Sequence, residues 1–504
     1  MVSKFKELFL GVNNFFLKIE SNAFLSKYRY YLLFIIILFG LYLRLMYLGY
    51  DSLWFDENIS ASVAKSITQN GYYDLESGAE YSRAYLFHYG MAFFLILFGI
   101  NDFSARFISV IFGAMTILFA YYFSKLIFKE NEFRAIIFSL FVSISSLFVM
   151  YSMQARFYMG FTLFYFLTFY LFYRIVILKK FYFKNKFFDY LLIGSSGFLA
   201  YHLQVMGLVI VPLLFFVYVI HNIDYLKDNF SLKKVLKRWY VIFVGLICLI
   251  VGVYLVFRFV GSISSLFNVL NIATIYYSIY SKYLVLFVIA FIGMVYGLIY
   301  SNWKFHISFI VYSFVPIIGI FLTEQVGSRY IFFAFFALFF YIAYIISQLE
   351  FRSVVVVFTI VLLSSTIFTF TPIKEPNLDP SAPQADYKGA YKYVDSIDDD
   401  FNLIVTFTPA TMWYLDSSPD FWIKYSISGR SNETWTVHRA DNGVVVDRFA
   451  GAQVIDSVEE LPKEFVLVLD NQATKKVDSS YLSYFNSNCN VEFSSFNIEV
   501  FKCE

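Results

Sequence analysis

The chain has 504 residues, of which 59% are hydrophobic, 22% aromatic and only 15% charged. A soluble globular chain carries roughly 25% charged residues, so this composition excludes an ordinary soluble enzyme and reads as a multispanning membrane protein. Residues 372–504 hold 11 basic against 21 acidic groups and the residues before them 28 against 16, so a basic membrane part precedes an acidic soluble tail, with nothing that points to nucleic acid.

Runs long enough to cross a bilayer, about 17–25 apolar residues, fall at 30–47, 105–128, 133–150, 157–178, 190–205, 205–220, 240–260, 283–300, 305–322, 330–346 and 354–370. A tight turn at 201–206 separates the fifth from the sixth. Ahead of the first run, Lys4, Lys6, Lys18, Lys27 and Arg29 mark a cytoplasmic N-terminus, and no cleavable signal peptide is visible. A further run, 84–100, is barely long enough and carries His88 near its start. If it lies in the outer interface, the clusters Lys179, Lys180, Lys184, Lys186 and Lys227, Lys233, Lys234, Lys237, Arg238 stay cytoplasmic. A span there would turn both outward, against the positive-inside bias. The expectation is therefore eleven spans, a first outer loop at 50–105 and an extracytoplasmic tail. No internal repeat of fixed period is visible.

The first outer loop opens with Tyr50-Asp-Ser-Leu-Trp-Phe-Asp-Glu-Asn58, so the adjacent carboxylates Asp56 and Glu57 emerge beside Trp54 and Phe55 at headgroup depth. Burial and a like-charged neighbour can hold a carboxylate ready as a general base. The plainer reading is a helix N-terminus, with Asp56 as N-cap and Glu57 favoured by the helix dipole. Arg44, in the last turns of the first span, either supports these carboxylates or snorkels to the interface. Later in the loop, Tyr81-Ser-Arg-Ala-Tyr-Leu-Phe-His88 places Arg83 and His88 in an aromatic setting, where His88 alone reads as a polar packing residue sooner than as a ligand. A second outer segment, Tyr151-Ser-Met-Gln-Ala-Arg-Phe-Tyr158, sets Arg156 and Tyr158 at the mouth of a span. A third, Thr323-Glu-Gln-Val-Gly-Ser-Arg-Tyr330, carries Glu324 and Arg329, which also fit a simple loop ion pair. Arginines recurring at one membrane face suit a phosphate, because the guanidinium fork matches phosphate oxygens; each singly also suits snorkelling to lipid.

Trp54-Phe-Asp-Glu57, Tyr81-Ser-Arg-Ala, Phe103-Ser-Ala-Arg106 and Tyr151-Ser-Met-Gln-Ala-Arg156, in that order, resemble the C-type (GT-C) glycosyltransferases. The nearest branch contains the protein O-mannosyltransferases and the lipid A aminoarabinose transferase, and the likeness is clearest over residues 23–178. The resemblance implies an integral membrane enzyme that moves a sugar from a polyprenyl-phosphate carrier to a protein, lipid or glycan acceptor on the outer face. It implies Asp56 as catalytic base with Glu57 beside it, and Arg83 and Arg156 as ligands of the carrier phosphate. Arg329 joins them as a phosphate candidate, and His88, Glu324 and Tyr158 are candidate substrate contacts. Residues 151–160 lack the acidic group that relatives often place there, and no His, Glu or Asp spacing matches a zinc pattern. The metal question stays open: no cofactor is required, and a divalent cation has no support. A sugar carried on phosphate has a built-in leaving group, so the enzyme needs a base and positive charge where phosphate leaves. A lipid or polysaccharide transporter calls for inverted repeats and charged span interiors, neither of which is visible. A non-catalytic scaffold would leave Asp56 freely replaceable.

Beyond the last span, Thr371-Pro-Ile-Lys-Glu-Pro-Asn-Leu-Asp-Pro-Ser-Ala-Pro383 reads as a linker. Tyr387, Ala390, Tyr391, Val394 and Ile397 follow with helical spacing. Short β-like runs at 403–407, 444–446 and 465–469 alternate with helical ones at 457–461 and 479–485, which predicts a small α/β domain. The expected plan is a transmembrane domain at 1–371, a linker at 372–385 and an extracytoplasmic domain at 386–504. Asn432-Glu-Thr434 is a glycosylation sequon and Cys248 a small apolar residue inside a span. Cys489 and Cys503 bracket a segment that can fold back as a hairpin, where an oxidising exterior permits a disulfide.

Overall fold

The computed structural model describes residues 22–127, 131–223, 283–322, 328–348, 385–397, 401–423, 437–439 and 444–504. Its α-helices of seven or more residues are, in chain order, α1 (Asn22–Leu45), α2 (Phe55–Asn70), α3 (Tyr85–Phe98), α4 (Asp102–Ile127), α5 (Glu132–Ile144), α6 (Ser146–Ser152), α7 (Tyr158–Phe172) and α8 (Lys186–Leu203). They continue with α9 (Ile210–His221), α10 (Leu284–Tyr300), α11 (Trp303–Leu322), α12 (Phe335–Ile346), α13 (Tyr387–Val394), α14 (Thr408–Tyr414) and α15 (Ser479–Asn488). The chain divides into two compact units, one of Met1–Met46, Val110–Ser152 and Phe157–Phe370, the other of Tyr47–Ser109, Met153–Arg156 and Thr371–Glu504.

The first unit is a helical membrane bundle. Nine of the expected spans fall within the described residues, and each forms a helix. Among the described residues four helices are long and apolar enough to cross a bilayer, Ser26–Leu45, Asp102–Ile127, Tyr158–Ile177 and Arg329–Ile346, and the bent pair α5–α6 raises the number to five. Val205–His221 and Leu284–Tyr300 are apolar but shorter. The runs 240–260 and 354–370, Glu324, the sequon, Cys248 and residues 372–384 lie outside the described residues.

Between α5 and α6 the axis turns by 58°, and a buried arginine sits at the break. Arg44 donates from Nη1 to the carbonyls of Gly40 at 2.9 Å and Ser143 at 2.8 Å, from Nη2 to Val142 O at 3.1 Å, and from Nε to Ser152 Oγ at 3.0 Å. The last carbonyls of a helix have no partner within it, and the guanidinium supplies one. Arg44 is thus a cap on the C-terminus of α5, a third role beyond the two its sequence position suggests. Elsewhere in the bundle, Pro316 inside α11 has no N–H to offer the carbonyl of Tyr312. Tyr165 of α7 donates its hydroxyl to that carbonyl at 2.6 Å, and Tyr312 donates to Tyr165 O at 2.8 Å.

The second unit contains a mixed sheet of β1 (Asn402–Val405), β2 (Phe421–Ile423), β3 (Val437–Arg439), β4 (Val445–Asp447), β5 (Gln453–Ile455), β6 (Phe465–Asp470), β7 (Cys489–Ser495) and β8 (Ile498–Cys503). The order is β3-β4-β5-β2-β1-β6-β8-β7, parallel from β5 through β6 and antiparallel at both flanks. Buried on both faces, β6 reads Phe-Val-Leu-Val-Leu-Asp, the near-continuous apolar run of a central parallel strand. Ile404, Ile423, Ile455 and Leu467 pack there with Tyr481 and Phe485 of α15. The expected α/β domain is therefore present, with flanking strands too short to stand out in the sequence. Cys489 and Cys503 are disulfide-bonded across β7 and β8, where they are register partners 4.2 Å apart at Cα.

Run 84–100 forms α3, and its 14 residues give about 21 Å of helix, short of the roughly 30 Å hydrocarbon core. Phe87, His88, Met91, Ala92 and Leu95 are buried, while Leu86, Phe93, Ile96, Leu97 and Phe98 are exposed.

Candidate active site

Trp54, in extended backbone at φ −80° and ψ 173°, caps α2. Its N–H donates to Glu57 Oε2 at 3.1 Å, one half of a capping box. Asp56 and Glu57 fall in the first turn, where the helix dipole favours negative charge; the N-cap is thus two residues earlier than the sequence reading placed it. Adjacent helical residues point about 100° apart, and the two carboxylates meet different surroundings.

Glu57 faces inward. Arg106 donates Nε to Oε1 and Nη2 to Oε2, each at 2.9 Å, and the N–H of Ala155 also donates to Oε1. The remaining N–H groups of Arg106 go to the carbonyls of Leu48 and Asp51 at 2.9 Å and Ser52 at 3.0 Å. All five guanidinium donors are used, and the side chains of the pair are 5% and 1% exposed. Burial of such charges is tolerated only when pairing and hydrogen bonding are complete, as they are here.

Asp56 faces outward. Between Ser52 and Ser60 only Phe55 and Asp56 keep partial exposure, and the Asp56 side chain is 22% exposed. Arg156 Nη2 lies 3.7 Å from Asp56 Oδ2, and Nη1 donates to Asp56 O at 3.0 Å and to Ser60 Oγ at 2.6 Å. The Arg156 carbonyl accepts from Ser109 Oγ at 3.0 Å, which fixes its backbone on α4. The result is one partly solvated carboxylate beside a buried guanidinium, on a turn whose neighbouring positions are locked. Among the described residues no group of three His, Cys, Asp or Glu side chains comes together as a metal site would require.

A family model described as dolichyl-phosphate-mannose-protein mannosyltransferase matches residues 82–254. ArnT from Cupriavidus metallidurans in the apo state superposes with a TM-score of 0.57 at 12% identity, over 95% of this chain and 98% of that one. The fold is that of the C-type glycosyltransferases. ArnT bound to undecaprenyl phosphate gives the same TM-score at 11% identity, over 93% of this chain and 97% of that one. The archaeal oligosaccharyltransferase AglB from Archaeoglobus fulgidus, in complex with an inhibitory peptide and a dolichol-phosphate, gives 0.51 at 12% identity, over 77% of this chain and 63% of that one. A comparison with curated protein sequences found no match.

Within this C-type fold the candidates named from sequence fall into separate places. Asp56, Glu57 and Arg156 come together as described. Arg83 is exposed on the turn before α3, next to Ala84 in left-handed backbone at φ 54°. His88 is buried against the rings of Tyr81 and Phe87, at 5.6 and 5.8 Å. Tyr158 and Arg329 belong to the membrane unit. There Tyr158 is buried edge-on to Tyr151 at 5.9 Å, and the Arg329 guanidinium lies over Tyr330 at 5.2 Å. Arg106 ends the Phe103-Ser-Ala-Arg106 motif, and residue order alone assigns it no role. The available signal was a single arginine within the first two turns of an otherwise apolar helix, where an ionisable group needs a partner.

Proposed function

We propose that the chain is an integral membrane glycosyltransferase that moves a sugar from a polyprenyl-phosphate carrier to an acceptor hydroxyl on the extracytoplasmic face, with Asp56 as general base. The observation that carries this reading is Asp56 itself: the one partly exposed carboxylate in a locked helical turn, with the Arg156 guanidinium 3.7 Å away. The C-type fold supports the reaction class. The lipid phosphates bound to ArnT and AglB support a lipid-phosphate donor. A disulfide in the C-terminal domain supports an oxidising compartment, and the length and exposed apolar face of α3 support a place in the outer interface.

In this mechanism the acceptor hydroxyl gives its proton to Asp56 as its oxygen attacks the anomeric carbon. The bond from that carbon to the phosphate oxygen breaks, and the electron pair leaves with the carrier phosphate. Cationic groups stabilise the charge that builds on that phosphate. Arg156 holds Asp56 and offers the phosphate a cation beside the base; the exposed Arg83 is the next candidate, and Arg329, in the membrane unit, is a separate one. Glu57 orients the turn and takes no proton. Asp56→Asn keeps the shape and removes the base, so transfer from a synthetic polyprenyl-phosphate sugar falls by about 10²–10⁴-fold while carrier binding persists. Near-normal turnover by that variant would overturn the assignment.

A further inference from the structure

The first turn of α2 is pinned on both sides of Asp56. On one side Arg106 holds Glu57. On the other, the ring of Phe55 stacks on Phe407 at 4.0 Å and 25°, and Tyr387 packs on Phe407 at 5.4 Å. Phe407 lies just past the carboxyl end of β1, the strand flanked by β2 on one side and β6 on the other. Open α/β sheets commonly bind ligands at such a place, beyond the strand ends where the order reverses. Here it is taken by the chain's own Phe55.

The same helix that follows β1 runs against α2. The buried N–H of Leu53, one residue before the N-cap, donates to the Tyr414 hydroxyl at 2.8 Å. Ser62 Oγ donates to Pro409 O at 3.1 Å, and Lys65 Nζ to Met412 O at 2.7 Å. Trp413 Nε1 and Lys388 Nζ donate to the Asp102 carboxylate at the start of α4, at 2.8 and 3.2 Å. Helices α13 and α14 of the C-terminal domain therefore hold both helices that carry the site, α2 with Asp56 and α4 with Arg106.

We infer that the C-terminal α/β domain is a positioning element for the base, with Tyr414 and Phe407 as its positioning residues, and that its strand-end crevice is occupied by the catalytic turn. This rests on the transferase reading of Asp56. Neither residue touches the reacting atoms. They set the approach of the carboxylate to an acceptor hydroxyl, a distance at which an error near 1 Å costs about 10²-fold in rate.

The test uses the purified full-length protein in lipid nanodiscs, with a synthetic polyprenyl-phosphate sugar as donor. Tyr414→Phe removes the oxygen that accepts from Leu53, and Phe407→Leu keeps bulk but removes the stacked ring. Each is expected to lower kcat by about 10- to 100-fold, with donor KM and carrier binding unchanged. Phe407→Tyr, which keeps a ring to stack, recovers most of the rate. Wild-type kcat in both variants, or a change confined to KM or to thermal stability, overturns the inference. Asp56→Asn measured alongside separates the two claims: if it is inactive while Tyr414→Phe and Phe407→Leu turn over normally, only the positioning role fails. If Asp56→Asn itself turns over normally, the transferase assignment of Asp56 fails first.

Discussion

Replacing Glu57 by Gln should damage this protein more than its conservative chemistry suggests. Four donors converge on the Glu57 carboxylate: Arg106 Nε and Nη2, and the N–H groups of Trp54 and Ala155. A glutamine offers one acceptor oxygen and turns an NH₂ group toward two of those donors. At least two buried N–H groups then lose their acceptor, at about 1–3 kcal/mol each, and the Arg106 charge loses its counter-ion. Breaking a buried pair by removing one partner costs about 3–5 kcal/mol, a large share of the roughly 5–15 kcal/mol that holds a typical domain folded. Asp56→Asn is the matched control. Its side chain is 22% exposed and its contact with Arg156 is long, at 3.7 Å, so its effect on stability is smaller than that of Glu57→Gln. Thermal unfolding of the two variants in the same nanodiscs makes the comparison, with transfer activity recorded in parallel. The expected pattern is a large drop in melting temperature for Glu57→Gln, and a clearly smaller one with lost activity for Asp56→Asn. A wild-type melt for Glu57→Gln would refute the view that this carboxylate serves the fold, and equal destabilisation by both would refute the division of roles.

Burial pushes the Asp447 carboxyl up to about 6 from an ordinary 3.8, against the N–H donors of Phe449 and Ala450. A raised carboxylate pKa means that the folded state favours the protonated form, so this group's contribution is full below pH ~4 and is lost as pH rises through about 6, a change of about 3 kcal/mol. Asp447→Asn should therefore gain stability relative to wild type between pH 4 and 7; a melting-temperature difference that does not vary with pH rules this out. The disulfide closes 14 residues of chain, and a Cys489→Ser, Cys503→Ser double variant is expected to lose about 3 kcal/mol, read as a lower melting temperature in non-reducing buffer. At Gly113 an added Cβ would run into Ser152 Oγ and the Arg44 guanidinium. Gly113→Ala should cost about 1–3 kcal/mol by overpacking, whereas Gly194→Ala, inside a helix and meeting nothing within 4 Å, should raise stability by about 0.5–1 kcal/mol.

Much of this architecture is local information and was legible from residue order. Apolar runs of spanning length, the change of composition near 372, and the hairpin closed by Cys489 and Cys503 depend on neighbours within a few residues. So does the placing of an acidic pair at the mouth of the first span. The division of labour within that pair is not local. Asp56 and Glu57 are chemically near-equivalent in sequence, and what separates them is a helical rotation of about 100° per residue and the partners waiting on each side. Those partners are Arg106, 49 residues away, and Arg156, 100 residues away. Arg44 likewise has a span-end position that predicts snorkelling, but the break at Ser145 gives it free carbonyls to cap. Tyr414 and Phe407 sit more than 350 residues from the turn they hold, and no periodicity or hydropathy carries information over that separation. Only the folded chain brings such groups together, because a buried charge or an orphaned N–H must find its partner wherever the packing supplies one.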